Sequence, residues 1–457
     1  MVIASVMVFK DNHFFCNEGY GDCIYKAVKM VMKKKIYNIL AVAAVAAMAF
    51  SCDAAEDYFG KMTDGDYEYA RDAMVGGEGM SEPSAPGEGG ENGQGNTNAG
   101  MLTAGEWNDL DNWHFWGELM LSQGDDEASK IEDGDYYGGN GTFYQYCPHW
   151  KFYTGNRVAV NVTNGGAPAA GVKVVLNMDG APVWTAVTDN LGQANCWVNL
   201  FKNETLAEEA VLSITLDGVA QPEAPMVTKW ASDSTLYNNY EVTKSITARK
   251  ADIAFFVDAT GSMTDEIDFL KSDLIDIFKK VEKLQAGTTI RTAALFYRDE
   301  GDEYVTKRID FTTDIKSVSN YVGKQSASGG GDFPEAVHTA LEKGLQNLSW
   351  DEGARTRIVF MLLDAPAHHN DKVIESLHQS IEAYAKAGIK IIPVAASGID
   401  KITEFMLRFF AISTSGTYVF LTNDSGIGGD HIQASVGDYE VEQLNELIVR
   451  LIDKYLE

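Results

Sequence analysis

Residues Ile253 to Val257 are apolar without interruption, and the run ends on an acid, Asp258. A strand that is hydrophobic at every position is buried on both faces, as in a parallel sheet layered between helices. The chain after Arg249 keeps to that scheme. Ile267, Leu270, Leu274, Ile277, Val281 and Leu284 recur at three or four and give one buried helical face. Strands are predicted at Ile290–Tyr297, Arg308–Thr312, Ile358–Leu363, Ile389–Val394 and Tyr418–Leu421. Helices are predicted around Pro334–Leu348, Val373–Ala387 and Ile402–Phe410, with a last one carrying Val441, Leu444, Leu447, Ile448, Leu451 and Ile452 on one side. Strands separated by helices imply an α/β, Rossmann-like domain with a mostly parallel central sheet.

The loop after Asp258 is chemically specific. Asp258, Thr260 and Ser262 place a carboxylate and two hydroxyls at every second position of a tight turn. Such groups are hard oxygen ligands for Mg²⁺ or a similar cation. The loop lies at the carboxyl end of a strand, the edge where open α/β sheets bind ligands. A plainer reading has the hydroxyls capping the helix that starts at Thr264-Asp265-Glu266 while Asp258 satisfies loop amides.

The run Asp258-Ala259-Thr260-Gly261-Ser262-Met263 resembles the metal-ion-dependent adhesion site of von Willebrand factor type A domains. Three later stretches extend the resemblance in the family's order: Tyr297-Arg298-Asp299-Glu300-Gly301-Asp302 with Phe311-Thr312, then Gly329-Gly330-Gly331-Asp332-Phe333-Pro334-Glu335, then Leu362-Leu363-Asp364-Ala365-Pro366. It covers residues 249–457. The resemblance implies metal ligation by Asp258, Thr260, Ser262 and Asp364, with Mg²⁺, or Mn²⁺ or Ca²⁺, as the cofactor. It implies one coordination position left for a carboxylate from a partner protein. The second loop departs from the pattern, because Gly331 stands where many members have a threonine. Asp332 or Glu335 then reaches the metal directly or through water, or Asp332 only caps the following helix.

Nothing else in the chain forms a good catalytic set. No Gly-rich phosphate loop precedes a Lys-Ser/Thr pair. His368-His369 come after Asp364 without acid or thiol partners at zinc spacing, and Asp299 and Asp302 read as a structural loop beside the site. A binding protein is therefore expected rather than an enzyme. The 457 residues carry 37 basic and 66 acidic side chains, a net charge of −29. So acidic a chain does not bind nucleic acid by counterion release.

The amino-terminal part points to export. Lys33-Lys34-Lys35 precede a short Ala/Val-rich core, Ile36 to Phe50, and then Ser51-Cys52. Residues 32–52 resemble a bacterial lipoprotein signal with Ala49-Phe50-Ser51-Cys52 as lipobox and Cys52 as the lipidated residue; the core is too short to span a membrane. Residues 1–31 show no periodicity, and a start at Met30 or Met32 would make them a non-native extension. Asp53, Glu56 and Asp57 resemble the surface-export signal of Bacteroides-like lipoproteins. The expected location is the cell envelope, at the outer membrane and surface-exposed.

Between anchor and α/β domain three further stretches are expected. Residues 53–105 are Gly-, Glu- and Asn-rich and read as a flexible acidic tether. Residues 106–146 hold Trp107, Trp113, Phe115 and Trp116, which pack on a neighbouring domain or bind carbohydrate, and an acidic piece from Gly124 to Gly141 with no calcium-loop spacing. Residues 147–248 switch to period two, as in Arg157–Thr163 and Ala194–Leu200, with turn signals at Asn164-Gly165-Gly166, Asp179-Gly180 and Asp217-Gly218. That pattern predicts a β-sandwich, and Gly171–Val174 with Thr188–Ala194 resembles immunoglobulin-like modules of bacterial surface proteins. Cys147 and Cys196 are either a disulfide across this module or two buried thiols. The resulting expectation is a membrane-anchored surface lipoprotein that binds a protein partner through a metal-dependent site. The alternative is an envelope assembly protein in which the metal only stabilises.

Overall fold

The structure, a computed structural model, describes residues 102–120, 143–230, 236–425 and 433–457. The lipobox with Cys52, the tether before residue 102 and the acidic stretch from Gly124 to Gly141 lie outside the described residues. Among the described residues no helix is long and apolar enough to cross a membrane.

The central element is an eight-stranded sheet. Its strands are β1 (Thr103–Trp107), β10 (Lys250–Asp258), β11 (Thr289–Tyr297), β12 (Thr306–Thr312), β13 (Thr356–Leu363), β14 (Ile389–Ala395), β15 (Tyr418–Leu421) and β16 (Glu442–Gln443), in the order β12-β11-β10-β13-β14-β15-β1-β16. The five from β11 to β15 in that order run parallel, and β12, β1 and β16 pair antiparallel at the two sides. The uninterrupted apolar run is explained by burial on both faces. Ile253, Phe255 and Val257 face one core with Ile358, Phe360 and Leu362, while Ala254 and Phe256 face the other with Val359, Met361 and Leu363.

The first face is covered by α3 (Thr264–Leu284), α4 (Ile315–Val322) and α8 (Leu444–Leu456), and the second by α5 (Val337–Asn347), α6 (Asp371–Ala387) and α7 (Lys401–Ser413). On α3, Ile267, Leu270, Leu274, Ile277 and Val281 are buried as their spacing requires. Each such side chain contributes about 1.5–3 kcal/mol of hydrophobic free energy before entropy is subtracted. Leu284 and Val441, placed on buried faces by periodicity, are exposed instead; Leu284 is the last residue of its helix and Val441 precedes α8. Helix α4 is not apparent from apolar spacing. Its N-cap Asp314, which accepts from Lys316 N, is the local signal that marks it.

Two smaller sheets lie between β1 and β10 in the chain. One is β3-β2-β6 with β9 added in parallel to β2, from β2 (Arg157–Asn164), β3 (Ala167–Pro168), β6 (Gln193–Trp197) and β9 (Asn238–Glu241). The other is β5-β4-β7-β8, from β4 (Lys173–Met178), β5 (Ala181–Val187), β7 (Leu212–Leu216) and β8 (Val219–Ala220). Val158, Val160 and Cys196 of the first share a core with Val174, Leu176 and Ile214 of the second.

The boundary at residue 105 shifts. Residues Thr103–Trp107 are a strand of the large sheet, with Ala104 opposite Leu421 and Trp107 opposite Tyr418. The two-sheet module is thus an insertion between the sheet's first strand and the rest. Helix α1 (Trp113–Met120) buries Trp113 and Trp116 completely. The Trp113 indole donates to Thr228 O, the Trp116 indole donates to Thr154 Oγ1, and Trp116 stacks on Phe405 of α7. These tryptophans hold the two parts together. Arg408 of α7, wholly buried, forms a two-point ion pair with Asp109 and lies 3.5 Å from Glu404.

The disulfide that the sequence allowed is not formed. Cys147 and Cys196 are both free and buried. Cys147 opens the short helix α2 (Cys147–Trp150) and donates its thiol to Phe143 O, whereas Cys196 points into the core from β6. Burial pushes both thiols up from their ordinary range.

Candidate functional site

Parallel registry brings three chain segments to one edge of the sheet. Asp258 is the last residue of β10 and sits opposite Tyr297, the last of β11. On the other side Val257 pairs with Leu362, so Asp364 lies one step beyond the end of β13. From β10 the chain goes to β11 on one side, and β13 lies on the other. This is the topological switch point at which open sheets bind ligands.

The first loop turns its polar atoms inward. Asp258 Oδ1 accepts from Thr260 N at 2.9 Å and from Thr260 Oγ1 at 2.7 Å. Asp258 is fully buried, and its Oδ2 has no hydrogen-bond partner. The Tyr297 hydroxyl is buried beside it, near enough for Asp258 to raise the phenol's pKa further above its ordinary value. Ser262 is exposed, and its hydroxyl lies close enough to the Asp364 carboxyl to hold its pKa down, so first loop and third meet here. Met263 is buried beneath and fixes the entry into α3.

The second loop lies against the first through Gly261 N to Gly329 O at 3.1 Å and Ser328 N to Ala259 O at 3.0 Å. Gly329 and Gly330 have φ of +85° and +76°, where side chains are rarely tolerated. A Cβ on Gly329 would stand 2.5 Å from an Asp302 carboxylate oxygen, and one on Gly330 would stand 2.8 Å from Glu335 Oε1 and 3.2 Å from Thr260 Cβ. The glycines therefore form a cradle for two carboxylates. Gly330 N donates to Asp302 Oδ2 at 3.0 Å.

Between Asp332 and Glu335 the structure distinguishes clearly. Asp332 is exposed, and Gly331 beside it has open space where a side chain would stand. Glu335 is only 3% exposed, and its Oε2 has no partner. The helix expected from Pro334 would include it, but α5 begins at Val337. Instead Glu335 N donates to Pro366 O at 2.9 Å, and its backbone bridges to Ala367 in parallel. That bridge holds Glu335 against the loop beyond Asp364.

The result is a concentration of buried acid. Burial and then the charge of Asp364 push Asp258 up to about 7. Burial, then Asp258, Asp299, Asp364 and Asp302, push Glu335 up to about 9. Glu266 in the first turn of α3, missed in the sequence because it reads as an N-terminal helix acid, is raised to about 7 by burial, with Asp364 adding to it. Burial also raises Asp364, partly opposed by the Ser262 hydroxyl. Arg298 is buried alongside but gives its hydrogen bonds to Ala259 O and Ser326 O and stacks over Tyr304.

A hard divalent cation suits this donor set. Asp258 and Asp364 are carboxylates, Thr260 and Ser262 are hydroxyls, and the buried Asp258 Oδ2 lacks the positive partner that a buried anion requires. Among the described residues no three His, Cys, Asp or Glu side chains already converge on one point, so side chains have to rotate to share a cation. His368 Nε2 lies 2.6 Å from Asp299 Oδ1, and His369 stacks on His149 with ring centres 3.7 Å apart. Each histidine thus has its own structural partner.

Residues 252–411 match the von Willebrand factor A domain family. An ariadne-like RING finger protein of Acanthamoeba polyphaga mimivirus is 31% identical over 130 residues, 28% of this chain and 12% of its own. The alpha-protein kinase vwkA of Dictyostelium discoideum is 27% identical over 141 residues, 31% of this chain and 22% of its own. The chain thus spans less than a quarter of the length of either relative. Among solved structures, the conserved hypothetical protein BatB from Bacteroides thetaiotaomicron is similar at 14% identity and a TM-score of 0.30, over 45% of this chain and 98% of that one.

Proposed function

We propose that the von Willebrand factor A domain of residues 252–411 is a divalent-cation-dependent binding module. The observation that carries this reading is the placing of Asp258 and Asp364 at adjacent strand ends, near enough for Asp364 to raise the Asp258 pKa, with the buried Asp258 Oδ2 left without a hydrogen bond. Asp258, Thr260, Ser262 and Asp364 would hold Mg²⁺, Mn²⁺ or Ca²⁺. The cation would supply a positive centre for an oxygen atom of a protein partner. No turnover is proposed, because the residues around it bind and orient rather than activate a nucleophile. Trp113, Trp116 and the Arg408–Asp109 pair fix the two-sheet module, read as immunoglobulin-like, to the binding domain. A lipid on Cys52 would anchor the whole at the outer membrane, facing outward.

Calorimetric titration of Mg²⁺ or Mn²⁺ tests the site, and capture of a partner from cell envelopes in Mg²⁺ with release by EDTA tests the binding role. No metal binding at millimolar concentration refutes the reading. A second reading is favoured by the crowding of buried acids itself: the cation relieves their repulsion and only stabilises the domain. Metal binding with capture that EDTA does not reverse would select it.

A further inference from the structure

We propose that Glu335 is the second loop's ligand to the cation, and that this third carboxylate selects a neutral oxygen, not a carboxylate, from the partner. The proposal rests on the metal-binding reading above and narrows it. Three observations carry it.

First, the second loop has no side-chain oxygen at Gly331, the position at which the resemblance would place a threonine. Gly331 has no side chain, nothing stands within 4 Å of where one would be, and Asp332 is exposed to solvent. Second, Glu335 is built into the site rather than lying near it. Only 3% of the residue is exposed, its Oε1 lies against Gly330, and its Oε2 has no partner. Third, its backbone is fixed. The hydrogen bond to Pro366 O attaches it two residues beyond Asp364, so side-chain rotation alone has to bring the carboxylate onto a cation shared with Asp258 and Asp364.

The consequence for ligand choice is electrostatic. Two carboxylates neutralise a divalent cation, and an incoming carboxylate then meets a centre of no net charge. A third leaves the centre negative, and a further carboxylate is repelled in a poorly screened site. A hydroxyl, an amide carbonyl or water carries no such penalty. The same added charge tightens the metal itself, since affinity in oxygen sites rises with the number of charged ligands.

The test uses Mn²⁺ alone with the full chain, reading affinity and the number of coordinated waters from water-proton relaxation, with acetate as a carboxylate probe. Wild type should bind Mn²⁺ and not respond to acetate. Glu335→Gln should bind Mn²⁺ at least about 10-fold more weakly, gain a coordinated water, and lose water to acetate. Glu335→Asp, which keeps the charge but withdraws it, should fall between them, and a melting curve in EDTA confirms that both variants fold. Asp332→Asn should match wild type. Unchanged affinity and hydration in Glu335→Gln overturn this inference and leave the metal site standing. A loss in Asp332→Asn instead moves the role to that residue and overturns it too. Failure of wild type to bind Mn²⁺ overturns the underlying reading and this inference with it.

Discussion

Replacing Asp258 by asparagine should stabilise the metal-free protein while abolishing its response to metal. Asp258 is raised from 3.8 to about 7 by burial and by Asp364. That difference corresponds to about 4 kcal/mol for keeping the carboxylate ionised in the folded chain near neutrality. The substitution is nearly isosteric. The asparagine Oδ1 still accepts from Thr260 N and Oγ1, and the new amide lies where the unpartnered Oδ2 was, facing the field of Asp364 and Glu335. Part of that free energy is shared with those neighbours, which ease when one charge is removed, so the net gain should be about 2–4 kcal/mol. At roughly 2 °C per kcal/mol for a unit of this size, melting in EDTA at neutral pH should rise by about 4–8 °C. Mg²⁺ should raise the wild-type melting temperature and leave the variant's unchanged. Differential scanning calorimetry of both proteins in EDTA and in Mg²⁺ makes the comparison. A variant less stable than wild type in EDTA would show that the carboxylate is satisfied within the protein, and a variant that still responds to Mg²⁺ would remove Asp258 from the site.

Three other perturbations have defined outcomes. In EDTA, wild-type stability should fall as pH rises from about 5 to 8: Asp258 and Glu335 are raised to about 7 and about 9, so their contribution is fully present below the unfolded carboxylate range and is lost as they ionise. Mg²⁺ should flatten that slope, because metal binding favours the ionised forms; a melting series across this range with and without EDTA reads both. Gly330→Ala should weaken Mn²⁺ binding and destabilise the domain by about 1–2 kcal/mol in calorimetry, since φ is +76° and the new Cβ meets Glu335 Oε1. Asp109→Asn should cost about 3–5 kcal/mol in urea unfolding, because it leaves Arg408 buried with half its ion pairing gone; a loss below about 1 kcal/mol would mean Glu404 alone suffices.

The sequence carried the large sheet because each of its signals is local. The apolar run into Asp258, the spacing along α3 and the turn glycines depend on neighbours within a few residues, and β15 begins and ends where its apolar residues do. What escaped was set by distant partners. Thr103–Gly105 reads as the end of a polar tether and Trp107 as part of the next segment, since a short strand with Gly105 at its centre has no period of its own; its identity comes from Tyr418–Leu421, far along the chain. Gly105 is there for contact, as a Cβ would meet Phe420 and Tyr439 within 2.7 Å.

Glu335 is one of two acids the sequence offers for the second loop, and what separates it from Asp332 is again a distant partner. Pro-Glu-Ala-Val is a good helix start by local rules, with proline early and an acid in the first turn. The bridge to Ala367 overrides that preference by pairing Glu335 with the chain after Asp364, and α5 starts two residues later. A local reading therefore leaves Asp332 and Glu335 both open, with Asp332 also able to cap the following helix. Burial separates them: Asp332 is exposed, while Glu335, held at 3% exposure among four other acids, is destabilising unless a cation joins them. A domain that keeps such a residue is less stable than it need be unless a cation joins the acids, and on the function proposed above that deficit would tie the binding surface to the presence of the ion.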